Sequence, residues 1–406
     1  MKKSNQGIRY GTMFFILVVT VILTAIATYF YVSQKIDNLG RNQQIYTKLN
    51  KVNDLINKNY ILPIDPVYGN DRILDGIVEG YIQGLGDEYS YYLSETDYRL
   101  SSSAAESSQV GIGIRAAYDK NSGGVLVDFV KHNSPAQTAG VLKNDVIVSV
   151  NGTDVSELGY RNAVASLSGT EGTDVVLTLS REGETSPVTL TVTRASFDPQ
   201  TVQYRLLESG IGYVFINEFD VSTVSEFSSA VETLRAAGAR GLVLDLRFNA
   251  GGDLASALDV LDKVMPAGIM CSVKELTEKE QISYYSDEGH LSEKIVVLQN
   301  FATSDVAEVF TGALKDTQTA SIVGDVSRGK GVGQRDIPLS DGTAIHISTY
   351  EYITPNGTQF NASGIVPDVS VALSEEKVSG FFTLAASDDD QLQSALQLLR
   401  AQLGTS

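Results

Sequence analysis

Cysteine, histidine and positive charge are all scarce in this chain of 406 residues. Its one cysteine, Cys271, excludes an intrachain disulfide, and the apolar neighbours favour a small core residue over a nucleophile. Three histidines without an HExxH or CxxC pattern disfavour a zinc site, and no metal or organic cofactor is implied. The chain has 31 basic against 49 acidic residues, which disfavours nucleic acid as a partner because phosphates need a basic surface.

Charge is absent altogether from residues 10–34. The apolar run there is about the 20 residues that a helix needs to span a bilayer, and basic residues precede it. We therefore predict a cytoplasmic N-terminus at 1–10, a transmembrane anchor at 11–32, and a single-pass protein of the cell membrane whose bulk is extracytoplasmic. A cleaved signal peptide ending near residues 25–27 is the alternative, and it leaves the bulk on the same side.

Three further patterns follow along the chain. Residues 33–106 have apolar residues at helical spacing and then a Ser-rich linker, which predicts a helical N-terminal segment. Residues 107–195 read as short strands with turns, and residues 196–375 alternate strands with helices, which is typical of an α/β core. Residues 376–406 predict a tail with a capped helix. Its apolar face could pack on the core or on a second copy, so a homo-oligomer stays open.

The strand-rich segment 107–195 resembles a PDZ domain of the protease-associated type. The matching residues are Gly111-Ile-Gly-Ile114, Ser134-Pro-Ala136, Ala139-Gly140, Asp145-Val-Ile147, Val150-Asn-Gly152 and Gly172-Thr173. This resemblance implies that the loop of Gly111, Ile112, Gly113 and Ile114 holds the carboxylate of a protein or peptide C-terminus, while the adjacent strand edge pairs with its backbone. The alternative is that these glycines only make a turn.

Four segments carry a second resemblance, which runs from about residue 40 to the C-terminus. They are Gly241-Leu-Val-Leu-Asp-Leu-Arg-Phe-Asn-Ala-Gly-Gly252, Gly329-Lys-Gly-Val-Gly-Gln334, Thr354-Pro-Asn-Gly357 with Gly364-Ile-Val-Pro-Asp368, and the run 84–93. By these motifs the chain is identified as a member of the carboxyl-terminal processing (tail-specific) serine protease family. The resemblance implies a multidomain α/β (α+β) fold with a ClpP/crotonase-like protease core. It also implies a serine endopeptidase that acts on C-terminal tails.

The family resemblance also implies the site. The family uses a Ser–Lys dyad, in which the lysine takes the proton of the serine and the serine attacks a peptide carbonyl. Lys330 matches the base, and Gln334 matches the residue that positions it. The oxyanion hole is expected from an N–H in the Gly251-Gly252 turn and from Val306 N–H, which follows the nucleophile position.

The nucleophile position itself departs from the family. Aligned on Glu308, the serine falls three residues earlier, where this chain has Asp305. A carboxylate attacks amides poorly, and its charge would keep Lys330 an ammonium that cannot act as a base. Ser304 lies one residue earlier, about 100° away around a helix, although the chain is less constrained just before the helix begins.

Three hypotheses follow from this departure. The first is an active endopeptidase through Ser304 and Lys330. The second is a catalytically inactive pseudoprotease that binds tails through its PDZ domain, and the third is a scaffold that binds no tails. Each residue also has a purely structural interpretation: Asp305 with Glu308 resembles a capping box, Ser304 caps or lines that turn, and Lys330 taken alone is an exposed loop lysine.

Overall fold

The computed structural model describes residues 10–64, 69–95, 97–99, 110–119, 122–131, 134–197, 200–207, 210–276, 281–379 and 381–404. The chain divides into two compact units, residues 1–74 and residues 75–406. The first unit is mainly helix α1 and the beginning of α2, and the second contains all of the strands.

The helices in the described residues are α1 (Tyr10–Asn59), α2 (Gly69–Gln83), α3 (Pro135–Ala139), α4 (Val155–Leu158), α5 (Tyr160–Ala165), α6 (Thr223–Ala236), α7 (Leu254–Val264), α8 (Val306–Asp316), α9 (Glu375–Ser379) and α10 (Asp390–Leu403). The strands are β1 (Tyr91–Leu93), β2 (Val110–Gly111), β3 (Ile114–Tyr118), β4 (Val125–Val130), β5 (Val146–Val150), β6 (Thr153–Asp154), β7 (Asp174–Ser180), β8 (Val188–Thr193), β9 (Ala195–Ser196), β10 (Val202–Leu207), β11 (Ile211–Ile216), β12 (Gly241–Asp245), β13 (Gly268–Glu275), β14 (Ile282–Ser286), β15 (Lys294–Gln299), β16 (Ala320–Gly324), β17 (Val332–Pro338), β18 (Ala344–Ile353) and β19 (Val369–Ser370). The predicted mixed α/β class is confirmed.

Helix α1 contains the predicted anchor at 11–32. Many side chains of that stretch lie outside the described residues, as do residues 1–9 and most of the predicted Ser-rich linker. Within the part of the chain that the structure describes, no helix combines the length and the apolar character needed to cross a bilayer.

The strands from β3 to β8 form an antiparallel sheet. Its strand order is β3-β4-β5-β7-β8, and β6 pairs with β5. Side chains of β7 alternate between buried and exposed, because one face of the sheet covers a core that includes Val127, Ile147 and Leu177. Helix α3 begins where Ser134 Oγ accepts the Gln137 N–H at 3.1 Å, and it ends at Gly140 with φ +85°.

A six-stranded sheet is the centre of the larger core. Its order is β10-β11-β12-β15-β16-β19, parallel except for the pair β10–β11. Every residue of β12 is buried, since helices α6, α7 and α8 cover one face and α10 covers the other. The loops after β12 and β15 leave the same edge of this sheet, so the segments 246–253 and 300–305 meet there.

Strands β2 and β9 pair with each other, and the other five strands form an antiparallel sheet with β13 between β14 and β18. Strand β18 also pairs with β1 and β17, which brings the run 91–93 and the chain that follows Lys330 to one sheet. Cys271 on β13 is buried, as predicted for a core residue, and burial raises the pKa of its thiol to about 12.

Candidate functional site

Asp305 precedes helix α8 in a rare backbone conformation. Its φ of 59° and ψ of −131° lie outside the regions that non-glycine residues prefer. Such strain costs on the order of 1–3 kcal/mol and persists only where the surroundings enforce it. The Asp305 N–H is held by Glu308 Oε2 at 3.0 Å, which is one half of a capping box. The strained turn directs the Asp305 side chain away from the helix and toward Lys330.

Asp305 and Lys330 form an ion pair, with 2.5 Å between Asp305 Oδ2 and Lys330 Nζ. Their side chains are only 15% and 19% exposed, respectively. Burial raises the pKa of the Asp305 carboxyl, whereas the charge of Lys330, the Tyr352 hydroxyl and the Val306 N–H lower it. On its other side, the Lys330 ammonium lies 5.2 Å from the centre of the Tyr89 ring.

The carboxylate of Glu308 ties the two halves of this site together. Besides the Asp305 N–H, it accepts the Ser327 hydroxyl at 2.5 Å, Gly329 N–H at 2.7 Å and Lys330 N–H at 2.8 Å. Glu308 is fully buried, and burial raises the pKa of its carboxyl against these hydrogen bonds. One side chain therefore fixes the backbone on both sides of the Asp305–Lys330 pair.

The glycine turn after β12 packs directly on Asp305. A Cβ atom at Gly251 would lie 2.6 Å from the Cβ of Asp305, and Gly251 has φ +102°. Gly251 N–H already donates to Asn249 Oδ1 at 2.8 Å, whereas Gly252 N–H makes no hydrogen bond to the described residues. Val306 N–H faces the Asp305 carboxyl. Of the backbone groups predicted for an oxyanion hole, Gly251 and Val306 thus lie beside Asp305, and Gly252 packs on Phe219.

Two other predicted residues do not contact the lysine through hydrogen bonds. Ser304 is buried, its N–H donates to Asn249 O at 2.9 Å, and its hydroxyl makes no hydrogen bond to the described part of the chain. The Gln334 amide donates to Val332 O at 3.2 Å and to Ser348 Oγ at 3.0 Å. Asp305 is therefore the residue that meets Lys330, and the catalytic roles of Ser304 and Gln334 stay predictions.

The predicted peptide-binding loop lines a cavity of about 330 Å³. Gly111, Ile112, Gly113 and Ile114 form one wall, and Val164 belongs to the opposite helix α5. At Gly113, with φ +78°, a Cβ would lie 2.3 Å from Ser134 Cβ, so only glycine fits. Phe197, Asn217 and Glu218, which come from beyond β9, line the same cavity, and Glu218 pairs with Lys131 at 3.0 Å.

Sequence reasoning missed several residues that shape the site. Glu308 was used to align the motif and was interpreted as part of a capping box, but its bonds to the segment 327–330 were not predicted. Tyr89 lies in the run 84–93 that carried the family resemblance, so that run held a usable signal. Tyr352 and Ser327 stand in stretches without a motif, and only the fold brings them to Asp305 and Glu308.

Comparisons with known proteins identify both domains of the chain. Residues 210–371 match the model of peptidase family S41, and residues 109–192 match that of the PDZ domain. The chain is 28% identical over 368 residues to the carboxy-terminal processing protease CtpA of Bacillus subtilis (strain 168), covering 89% of this chain and 77% of that protein. It is 29% identical over 400 residues to a probable CtpA-like serine protease of Staphylococcus aureus (strain MSSA476), covering 96% and 79%.

A solved structure shows the same architecture. The photosystem II D1 C-terminal processing protease superposes with a TM-score of 0.59 at 27% identity, covering 79% of this chain and 86% of that chain. The fold and the site define a PDZ-containing peptidase of the S41 type. Residues 210–371 carry the S41 peptidase domain and residues 109–192 the PDZ domain, and the chain as a whole is similar to carboxy-terminal processing proteases.

The packing of Gly251 on Asp305 yields a stability prediction. Gly251→Ala should lower the free energy of unfolding by about 2–4 kcal/mol, because it adds both a positive-φ penalty and a steric overlap. Gly238→Ala is the matched control: its φ is +91°, yet no atom lies within 4 Å of the added Cβ. We expect the control to cost only about 1 kcal/mol. Urea unfolding measures both variants, and equal costs would contradict the close approach.

Proposed function

We propose that this protein is anchored in the membrane and lies mainly outside the cytoplasm. It binds the C-terminal tails of other proteins, and it does not cleave them because it lacks a working Ser–Lys dyad. The observation that carries the proposal is the ion pair between Asp305 and Lys330. The residue that faces the lysine is a carboxylate, in the position where the family resemblance expects the serine.

The chemistry of the pair argues against peptide hydrolysis. A general base must accept a proton, whereas Lys330 Nζ donates a hydrogen bond to Asp305 Oδ2. The Asp305 carboxylate is itself a weak nucleophile toward amides. It also attracts the Val306 N–H, which an oxyanion would need in the transition state. Asp305 thus engages both Lys330, which would have to act as the base, and Val306 N–H, which would have to stabilise the oxyanion.

The groove around Gly111–Ile114 supports the binding half of the proposal. A cavity with a glycine-bearing loop on one side and an apolar helix face on the other suits an extended peptide with a free carboxylate. The names of the relatives, carboxy-terminal processing proteases, also point to C-terminal tails as the ligand class. Substrate or partner proteins are therefore expected to present an unstructured end.

A second candidate function is proteolysis through Ser304. It is favoured by the relatives, which are named as proteases, and by the Ser304 hydroxyl, which is adjacent to Asp305 and uncommitted to hydrogen bonds in the described residues. This candidate requires the Asp305–Lys330 pair to open so that Ser304 reaches the lysine.

The first test is cleavage of an unfolded protein by the purified protein. We expect no cleavage by the parent, cleavage after Asp305→Ser, and none after Asp305→Ala, which removes the charge without supplying a nucleophile. Product analysis by gel and mass spectrometry measures each case. Cleavage by the parent that disappears in both Ser304→Ala and Lys330→Ala would instead support the second candidate.

The second test is peptide binding. A fluorescent peptide with an apolar, free C-terminus should bind, and its C-terminally amidated twin should bind at least about tenfold more weakly, because the amide lacks the carboxylate charge. Val164→Asp should weaken binding by repelling that carboxylate, while Val176→Asp, on exposed surface of β7, is the control. Fluorescence anisotropy gives each Kd. Equal affinity for the two peptides would rule out carboxylate capture.

The proposed anchor rests on the uncharged, apolar stretch 11–32 and on the basic residues before it. Carbonate washing, which removes peripheral proteins, should leave the full chain in the membrane pellet. A chain that starts at residue 35 should move to the supernatant. Release of the full chain by carbonate would contradict the anchor.

A further inference from the structure

We propose that Lys330 and Asp305 join covalently, through an amide bond between Lys330 Nζ and Asp305 Cγ that forms with release of water. The proposal goes beyond tail binding, because it assigns a self-modification to the site. It starts from the contact of Lys330 Nζ with Asp305 Oδ2 at 2.5 Å in a largely buried setting.

The two reacting groups are held on rigid supports. Glu308 bonds the N–H of Asp305 at 3.0 Å and the N–H of Lys330 at 2.8 Å, so one carboxylate fixes both chain segments. Gly251 packs against the Asp305 side chain, which limits its rotation. Well-oriented neighbours of this kind react with effective molarities of about 10⁵–10⁸ M. Such proximity offsets the unfavourable condensation of an amine with a carboxylic acid in water.

The reaction balances without any co-reactant. Within the ion pair, the Lys330 ammonium passes a proton to the Asp305 carboxylate, which leaves a neutral amine and a neutral carboxyl. The amine nitrogen attacks Cγ and forms the C–N bond. One carboxyl C–O bond then breaks, and its hydroxyl leaves as water with a proton from the nitrogen. The net change is one amide bond gained and one water released.

The surroundings favour each step. Burial raises the pKa of Asp305, which makes its neutral form accessible. Val306 N–H faces the carboxyl and can stabilise the oxygen of the tetrahedral intermediate. The Tyr352 hydroxyl is near enough to lower the pKa of this carboxyl, and it can assist departure of the hydroxyl. A site shaped to stabilise the tetrahedral intermediate of amide cleavage stabilises the same intermediate during amide formation.

Another lysine–aspartate pair serves as an internal control. Lys377 Nζ lies 2.6 Å from Asp390 Oδ2, but the side chains are 31% and 58% exposed. That pair is open to solvent, and among the described residues no carboxylate accepts the backbone N–H of both Lys377 and Asp390. Contact alone therefore predicts a cross-link at both pairs, whereas the proposal predicts one only at Asp305 and Lys330.

The test is mass spectrometry of the full chain after purification and prolonged incubation at neutral pH. The intact mass should be lower than the sequence mass by one water. Trypsin does not cut after an amidated lysine, so residues 295–315 should appear joined to residues 329–335 in one branched peptide. Lys377 should be cut normally. An unchanged intact mass, with separate peptides ending at Lys330, would overturn the proposal.

Variants exclude other routes to the same mass. Lys330→Arg and Asp305→Ala should both keep the full sequence mass. Asp305→Asn should still cross-link, with loss of ammonia instead of water. Loss of water that persists in Lys330→Arg would indicate a succinimide at Asp305 and would also overturn the proposal. Peptide binding measured on the same sample distinguishes this inference from the proposed function. Binding without a cross-link would overturn the amide bond and leave tail binding supported.

Discussion

The site depends on one buried carboxylate, that of Glu308. A buried carboxyl group is costly unless its oxygens are hydrogen-bonded. Here three backbone N–H groups and one hydroxyl fill them, and the donors come from two segments about twenty residues apart. Ser327 extends the link, because its oxygen accepts Ile365 N–H at 2.6 Å. The strained turn at Asp305 persists because this network leaves the chain no relaxed alternative.

A second buried network connects the site to the C-terminal helix. Burial alone would lower the pKa of Arg247, but Asp245 and Asp389 raise it, so the guanidinium stays charged inside the core. Asp389 also caps α10 by accepting Leu392 N–H at 3.0 Å. The loop after β12 is thereby tied to a helix beyond the family-matched residues 210–371. Helix α10 is thus part of the support of the site.

Local patterns predicted much of this fold, and long-range contacts account for what they missed. Strand β12 carries an unbroken apolar run because both faces of its sheet are covered. Side chains of β7 alternate between buried and exposed because only one face of its sheet is covered, so both patterns could be predicted from the sequence. The family resemblance placed Lys330 beside position 305, and the structure has Lys330 in an ion pair with Asp305. Tyr352 could not be predicted, because it reaches the site only through sheet pairing far along the chain, whereas Tyr89 lies in a run that the family resemblance had marked. The orientation of the Gln334 amide likewise depends on Ser348 across a strand pair.

The aspartate and the lysine are best understood as one electrostatic unit. A largely buried ammonium without a partner is destabilising, whereas a hydrogen-bonded pair compensates much of the desolvation cost. Among the described residues, Asp305 is the only carboxylate in ion-pair contact with Lys330. A serine at position 305 would free the lysine for proton transfer but would remove this compensation. Under the proposed function, the aspartate that would prevent hydrolysis through Lys330 also stabilises the site, so that chemistry and stability oppose each other at this position.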